Sequence, residues 1–186
     1  MNTSILTTTE AHMNTKNPMD TGNSLDTGSP TIQNGAEDHS SERKTGERIV
    51  AFICTHNACR SQIAQAIAEH YQASDRRYAE FRFASAGTDI ADSINPDAVR
   101  VLRDSRGIDM VARGQSPKTI GQIPAPDVAI SMGCGVRCPF IGRPFDADWE
   151  LDDPTGGTEE DFLRCIERID SLVQHIPELY GRPSAQ

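Results

Sequence analysis

The chain has 186 residues, a formal net charge of −9 at pH 7 and 5% aromatic residues. This length allows one domain with a sizeable core, whereas the acidic balance argues against a general nucleic-acid-binding protein. No apolar run approaches the roughly 18 residues that span a bilayer, and the N-terminus lacks the basic-then-apolar layout of a secretory signal. We expect a soluble, cytoplasmic monomer with neither a membrane nor a nucleic-acid partner.

The first 47 residues differ in composition from the rest of the chain. They are rich in Thr, Ser, Asn, Gly, Asp and Glu and show no apolar periodicity. Such a segment buries too little apolar surface to offset the entropy lost on ordering. We predict a disordered tail at residues 1–47 and a single domain at residues 48–186.

After the tail, segments typical of strands alternate with segments typical of helices. Residues 49–53 form a continuous apolar run, as in a central parallel strand. The other predicted elements, in chain order, are a helix from Ser61 to about Tyr71, a strand at 81–84 closed by a turn at 85–87, a helix from Pro96 to near Gly107, a short helix at 118–122, strands at 127–132 and 144–149, and a helix from Glu159 to about Ile176. This alternation predicts an α/β fold with a parallel sheet covered on both faces, whose ligands bind beyond the carboxyl ends of the strands.

The segment between the first strand and the first helix reads C-T-H-N-A-C-R-S, from Cys54 to Ser61. A loop of this length can turn its backbone N–H groups inward, and the following helix adds its positive end. Arg60 supplies a planar fork of donors that matches two oxygens of a tetrahedral anion. We predict that an oxyanion is bound by Thr55, His56, Asn57, Ala58, Cys59, Arg60 and Ser61.

Cys54 is the candidate nucleophile of this loop. The positive field of the loop and helix favours its thiolate, and Ser61 is placed to donate its hydroxyl to the sulfur. Asn57 tolerates the left-handed backbone angles that a tight loop needs. His56 is a weaker candidate for a general base, since a loop histidine is more often exposed to solvent. The alternative, a core cysteine beside a surface arginine, is disfavoured by the strand–loop–helix context.

A second candidate group lies in the turn-rich run that starts at Asp152 and Asp153. A carboxylic acid on a loop can protonate an oxygen that leaves arsenic or phosphorus, and Pro154 holds Asp153 in an extended geometry. The alternative for this run is a solvated acidic turn that caps the last helix.

Cys134 and Cys138 follow the third predicted strand with three residues between them. Two such thiols can form a disulfide if the loop brings their Cα atoms within about 7 Å. The alternatives are inert thiols or half a zinc site, but neither Cys165 nor the histidines offer a second ligand pair. We predict no bound metal, and we assign Cys165 to the core of the last helix.

Several motifs in this order resemble an arsenate reductase of the low-molecular-weight tyrosine-phosphatase type. The resemblance covers about residues 48 to 176 and implies a four-stranded parallel sheet flanked by helices on both faces. The motifs that carry it are C-T-H-N-A-C-R-S, Ser85-Ala86-Gly87, Asn95-Pro96, Ser131-Met132-Gly133-Cys134 with Cys138-Pro139, and Trp149-Glu150-Leu151-Asp152-Asp153-Pro154.

The resemblance also implies a mechanism and its partners. Cys54 attacks arsenate held by the loop amides and Arg60, and Asp153 protonates the departing oxygen. Cys134 then attacks Cys54 and releases arsenite, and Cys138 attacks Cys134 in turn. Thioredoxin reduces the resulting disulfide by thiol exchange. No bound cofactor is implied.

The chain departs from the family pattern at the second cysteine pair. Only three residues separate Cys134 from Cys138, fewer than in typical thioredoxin-coupled members. Some relatives instead use mycothiol or glutathione as an external thiol, and in that case both cysteines are dispensable. Certain members bind potassium through an acidic residue of the first helix, but Gln65 occupies that position here, so we do not predict this ion.

Two further functions remain open. A tyrosine phosphatase would use the same loop and Asp153, but it has no use for the cysteine pair and usually carries an aromatic residue where this chain has Thr155-Gly156-Gly157. A redox-sensing or anion-binding regulator would rely on a disulfide between Cys54 and Cys59.

Overall fold

The computed structural model describes residues 45–133 and 141–182. The predicted tail, apart from residues 45–47, and both Cys134 and Cys138 lie outside these ranges. The strands are β1 Arg48–Cys54, β2 Phe81–Gly87, β3 Val128–Ser131 and β4 Ala147–Asp148. The helices are α1 Arg60–Ser74, α2 Pro96–Arg106, α3 Glu159–Val173 and α4 Ile176–Tyr180, with 3₁₀ turns at Arg76–Tyr78 and Ile120–Gln122.

The four strands form one parallel sheet in the order β2-β1-β3-β4. The apolar run of β1 makes it a central strand, and every residue from Ile49 to Cys54 is buried. This confirms the predicted four-stranded parallel sheet. None of the helices in the described part of the chain has the length and apolarity needed to cross a membrane.

The two faces of the sheet are covered unequally. The face that carries Val50 and Phe52 packs in one large core with apolar residues of α1, α2 and α3. The opposite face carries Ala51, Ile53 and Ala86. It packs against four partly buried side chains that lie in the 3₁₀ turn at Ile120–Gln122 or later in the chain: Ile120, Ile123, Ile141 and Phe145.

Strand β2 is longer than predicted, because residues 85–87 continue the strand instead of forming a turn. Pairing with β1 persists to its last residue, where Cys54 lies opposite Gly87. A Cβ atom on Gly87 would lie 2.6 Å from the carbonyl oxygen of Thr55 and 2.9 Å from the Asn57 nitrogen. Glycine therefore lets the loop after β1 close tightly over the end of β2.

Helix boundaries depart from the predictions chiefly at α1, which runs to Ser74, and at the closing helix. Helix α1 begins at Arg60, with Cys59 as its N-cap residue and no side-chain cap. Ser61 thus lies in the first turn and bonds to Cys54 instead of capping the helix. The closing helix ends at Val173, and a separate short helix follows it.

Candidate active site

The loop after β1 is held by hydrogen bonds to the segment at residues 88–95. The carbonyl oxygens of three loop residues accept from backbone N–H groups of this segment, which fixes the path of the loop. Asn57 adopts a left-handed conformation with φ 48°, as predicted for a tight loop. The turn at Asn57 points its own N–H group at Cys54, with the nitrogen 3.1 Å from Sγ.

Cys54 lies at the carboxyl end of the central strand, where its side chain is buried and surrounded by polar groups. Its Sγ lies 3.0 Å from the Ser61 hydroxyl oxygen, in addition to accepting the Asn57 N–H. The Asn57 side chain donates to the same hydroxyl at 2.8 Å. A sulfur surrounded by hydrogen-bond donors at the start of a helix is suited to act as a thiolate nucleophile.

Arg60 joins three parts of the chain that are distant in sequence. Its guanidinium is buried, and Nη1 donates to the carbonyl oxygens of Met132 at 3.0 Å, Gly133 at 3.2 Å and Leu151 at 2.8 Å. Nη2 forms an ion pair with Asp153 Oδ2 at 2.8 Å. The arginine therefore holds the anion loop, the end of β3 and the acidic loop together.

The end of β3 lies directly against the backbone of the acidic loop. Gly133 has φ 89°, and a Cβ atom there would lie 2.5 Å from the Leu151 nitrogen. Glu150 also has a positive φ of 48°. This close approach requires glycine at the residue before Cys134. Cys134 and Cys138 lie outside the described residues, so their predicted roles stay predictions.

Asp153 lies beside the anion loop, where it forms an ion pair with Arg60, and its role as a general acid stays a prediction. Its side chain is 45% exposed. Partial burial disfavours its charged form, but hydrogen bonds from Thr155 and the charge of Arg60 outweigh that effect and hold the pKa of Asp153 below its ordinary value. In the free protein this carboxyl is therefore ionised at neutral pH.

Two of the remaining cysteines are buried free thiols. Burial, with the neighbouring Cys165 next in importance, raises the pKa of the Cys59 thiol. Burial also raises the pKa of Cys165 to about 12. Both thiols are therefore protonated at neutral pH and are poor nucleophiles. Cys165 belongs to the core, as predicted, and it also lines a cavity of about 540 Å³ beside Asp153.

His56 lies on the outer side of the loop. Its side chain is exposed, and Nδ1 is 2.8 Å from the carbonyl oxygen of Asp89. This contact ties the ring to the segment at residues 88–95. The structure therefore gives no support to His56 as a base for Cys54.

Two residues that were not predicted from the sequence, Gln62 and Lys118, support the loop through hydrogen bonds to Asn57. Gln62 Nε2 donates to the Asn57 carbonyl at 3.0 Å, to Asn57 Oδ1 at 2.9 Å and to the Ser116 carbonyl at 2.8 Å. The Lys118 backbone N–H donates to Asn57 Oδ1 at 2.8 Å. The signal that marks Gln62 is a polar residue in the first helical turn, ahead of the apolar residues that enter the core.

The described residues contain no group of three or more His, Cys, Asp or Glu side chains arranged to hold a metal ion. Gln65, which stands where some family members have an acidic residue, makes two side-chain contacts. Its Oε1 accepts from the Ser85 hydroxyl at 2.7 Å, and its Nε2 donates to Glu69 at 2.7 Å.

Comparisons with known proteins agree on one family. The family described as low molecular weight phosphotyrosine protein phosphatase matches residues 49–180. A glutaredoxin arsenate reductase from Synechocystis is 30% identical over 134 residues, which are 68% of this chain and 97% of that protein.

Solved structures give the same result. An arsenate reductase in the phosphate-binding state aligns with a TM-score of 0.60 and 29% identity, over 71% of this chain and 98% of that one. A thioredoxin-dependent arsenate reductase from Corynebacterium glutamicum aligns with a TM-score of 0.54 and 34% identity, over 73% of this chain and 62% of that one.

Proposed function

The chain belongs to the low molecular weight phosphotyrosine protein phosphatase family and is an arsenate reductase of that family, and we propose that it works through a relay of thiols that begins at Cys54. Arsenate is a tetrahedral anion of the kind that an inward-facing loop and a helix N-terminus bind. In this proposal the loop from Thr55 to Ser61 holds its oxygens, and Arg60 turns Nη2 from Asp153 to the anion.

The first chemical step joins sulfur to arsenic. The Cys54 thiolate forms an S–As bond, an As–O bond breaks, and the departing oxygen leaves as water after taking a proton from Asp153. Asp153 is ionised in the free protein, so its proton arrives with the substrate as a protonated oxyanion. The added negative charge and the displacement of Arg60 both favour protonation of the carboxyl at that moment.

The next two steps move electrons and regenerate the nucleophile. Cys134 attacks Cys54, so that an S–S bond forms, the S–As bond breaks and its electron pair reduces arsenic from the pentavalent to the trivalent state. Arsenite then leaves. Cys138 attacks Cys134, which frees the Cys54 thiolate and leaves a Cys134–Cys138 disulfide.

Thioredoxin is the proposed reductant of that disulfide, with no cofactor bound to the chain. The name of the Corynebacterium glutamicum relative supports this choice. The Synechocystis relative is named for glutaredoxin, which makes a low-molecular-weight thiol such as glutathione or mycothiol the alternative. The enzyme is proposed to act as a cytoplasmic monomer.

One observation carries the proposal, namely the set of contacts made by Arg60. The same guanidinium ion-pairs with Asp153 at 2.8 Å and binds the carbonyl oxygen of Gly133 at 3.2 Å. Gly133 immediately precedes Cys134. The residue that would hold arsenate therefore also fixes the proton donor and the point from which the second thiol's segment departs.

A coupled assay tests the relay. NADPH consumption is followed with arsenate, thioredoxin and thioredoxin reductase, and the full chain is compared with Cys54→Ser, Cys134→Ser and Cys138→Ser. We expect turnover in the wild type and none in the three variants, since an alcohol is a far weaker nucleophile than a thiolate. Cys165→Ala is the matched control, because this protonated core thiol has no part in the relay.

The assay also separates the alternatives. Turnover that survives in Cys134→Ser and Cys138→Ser, and that needs glutathione or mycothiol, would replace the relay with transfer to an external thiol. Retained activity in Cys54→Ser would exclude Cys54 as the nucleophile.

A tyrosine phosphatase is the second candidate, because the anion loop and Asp153 suit phosphate as well as arsenate. The loop after the Asp-Pro pair continues with Thr155 and two glycines rather than an aromatic residue, which favours a small inorganic substrate. Hydrolysis of an aryl phosphate with no arsenate reduction under any reductant would establish the phosphatase instead.

We also propose that residues 48–186 form the catalytic domain and that residues 1–47 are dispensable for catalysis. A chain lacking residues 1–47 is expected to keep nearly full turnover in the same assay. Failure of the shortened chain to fold would show that the tail belongs to the domain.

A further inference from the structure

Three amide side chains, those of Asn57, Gln62 and Gln115, form a hydrogen-bonded series from the anion loop to residues 115–118. The proposed relay gives no role to Gln62 or Gln115. Gln62 is wholly buried in the first turn of α1. A buried amide costs free energy unless its donors and acceptors are satisfied. The stability of this arrangement therefore depends on where each N–H group and each oxygen of the series points.

The orientation of Gln62 is fixed by backbone groups. Its Nε2 lies 3.0 Å from the Asn57 carbonyl oxygen and 2.8 Å from the Ser116 carbonyl oxygen. Carbonyl oxygens only accept hydrogen bonds, so the atom that faces them is the amide nitrogen. Gln62 Oε1 then faces Gln115, whose Nε2 lies 2.8 Å away.

Gln115 is oriented in the same way. Its Nε2 also donates to the backbone carbonyl of Gln62 at 3.0 Å. Its Oε1 is buried and has no hydrogen-bond partner among the described residues. Rotating the amide would place this oxygen against two oxygens of Gln62, so one unpaired acceptor is the smaller cost.

Asn57 connects the glutamines to Cys54 through the Ser61 hydroxyl. Its Oδ1 accepts from Gln62 Nε2 at 2.9 Å and from the Lys118 backbone N–H at 2.8 Å, and a backbone N–H can only donate. Asn57 Nδ2 is therefore the atom that faces the Ser61 hydroxyl at 2.8 Å. Because the Ser61 oxygen accepts this bond, its own proton is directed to Cys54 Sγ, 3.0 Å away.

We propose that Gln62 and Gln115 are positioning residues that direct the Ser61 hydroxyl proton to Cys54 Sγ and so favour the thiolate of the nucleophile. A hydrogen bond to an ionised acceptor is roughly twice as strong as one to a neutral acceptor. A donor that cannot turn away from the sulfur therefore stabilises the charged form. The inference rests on the proposed function only in taking Cys54 as the nucleophile.

The test measures Cys54 itself and needs no arsenate. In the full chain, the rate of iodoacetamide alkylation of the Cys54 peptide is followed by mass spectrometry across pH for wild type, Gln62→Met and Gln115→Met. In Gln62→Met the midpoint of the profile is expected to rise by about one pH unit, roughly a tenfold loss of thiolate at neutral pH. In Gln115→Met the loss is expected to be roughly threefold, since backbone carbonyls still orient Gln62.

The matched control is Gln72→Met. Gln72 also lies on α1 and also donates to a backbone carbonyl, that of Phe81, but it sits at the opposite end of the helix from the loop. Its alkylation profile is expected to match the wild type. A general loosening of α1 would instead shift the Gln72 variant as well.

A double-mutant cycle with Ser61→Ala distinguishes positioning from a purely structural role. If the glutamines act through Ser61, Gln62→Met is expected to add no further shift once the hydroxyl is gone. The proposal would be overturned if folded Gln62→Met or Gln115→Met kept the wild-type midpoint of alkylation. It would also be overturned if Gln62→Met shifted this midpoint as much in the Ser61→Ala background as in the wild type. Should Gln62→Met not fold, the partly exposed Gln115 provides the deciding variant. Failure of the proposed function would show separately, as no wild-type turnover in the coupled assay.

Discussion

At the scale of single residues, the site depends on a small number of positions that each satisfy several constraints. Arg60 binds three backbone carbonyls and one carboxylate. Asn57 has a left-handed backbone conformation, and its side chain donates to the Ser61 hydroxyl and accepts from the Lys118 backbone N–H. Substitutions at such buried, multiply bonded positions are therefore expected to lower both activity and stability.

Replacing Asp153 with asparagine is expected to slow formation of the Cys54 adduct by roughly 10²–10⁴-fold, since the amide cannot protonate the departing oxygen. The measurement is single-turnover quench with arsenate. Asp152→Asn, at the adjacent carboxyl, is the matched control. An unchanged rate in Asp153→Asn would return this carboxyl to the role of a solvated turn.

Replacing Gly87 with alanine is expected to disturb the anion loop, because the new Cβ atom would lie 2.6 Å from the Thr55 carbonyl oxygen. We expect weaker binding of phosphate, measured by titration calorimetry, with the loop displaced from Cys54. Gly107→Ala is the control, since a Cβ there meets nothing within 4 Å. The control loses some stability because Gly107 has a positive φ of 67°, but its phosphate affinity is expected to stay unchanged.

At the scale of elements, local sequence signals predicted both ends of α2 and the start of α3. Asn95 caps α2 by accepting from the N–H groups of Asp97 and Ala98, and Gly107 ends it in a left-handed conformation. The start of α1 was predicted less well, because Ser61 has the side chain of a cap but is used by Cys54 instead. Tertiary contacts of a site override local preference where the two compete.

Helix α3 offers a direct measure of capping. The Thr158 hydroxyl oxygen accepts from the Asp161 N–H at 3.4 Å, and the Asp161 carboxylate accepts from the Thr158 N–H at 2.7 Å. Thr158→Ala is expected to lower the free energy of unfolding by about 1 kcal/mol, measured by urea denaturation. The exposed Thr88, replaced by alanine, is the control and is expected to change it by less than about 0.5 kcal/mol.

At the scale of the whole molecule, the alternation of strand and helix patterns was enough to predict a parallel sheet with the site at its carboxyl edge. Cys54, Arg60 and Asp153 were singled out from their motifs as candidate nucleophile, anion ligand and acid, and the structure places Arg60 in an ion pair with Asp153 at the end of the loop that begins at Cys54. The supporting glutamines were not predicted, because the contacts of Gln62 with Gln115 and with the Ser116 carbonyl span more than 50 residues and a polar residue in the first helical turn does not by itself indicate such partners. The sheet has helices packed on the large core of one face and a smaller apolar cluster on the other. The apolar periodicity of each segment does not indicate which face it will cover, so this difference was not predicted.

Stability of the whole domain is expected to fall in alkaline solution. Burial raises the pKa of Cys165 from 9.0 to about 12 and also raises that of Cys59. The unfolded chain then loses these protons first, so the stabilisation is complete below pH 9 and is lost as pH rises towards 12, by up to about 1.4 kcal/mol per pH unit for each thiol.

The check is urea unfolding under reducing conditions at several values between pH 8 and 11. Cys165→Ala is expected to be less stable at pH 8 but to show a shallower decline with pH. An equal decline in the variant and the wild type would mean that Cys165 does not contribute to the alkaline effect.

The central position of β1 has a consequence for how the enzyme loses activity. This strand pairs with β2 and with β3, and it ends at Cys54, the proposed nucleophile. Amide protons of such a strand exchange with solvent only when the whole sheet comes apart. Many enzymes place their reactive groups on segments that open far more readily than the rest of the fold. Here Cys54 sits at the end of what is expected to be the slowest-exchanging segment, so inactivation by denaturant should coincide with global unfolding rather than precede it.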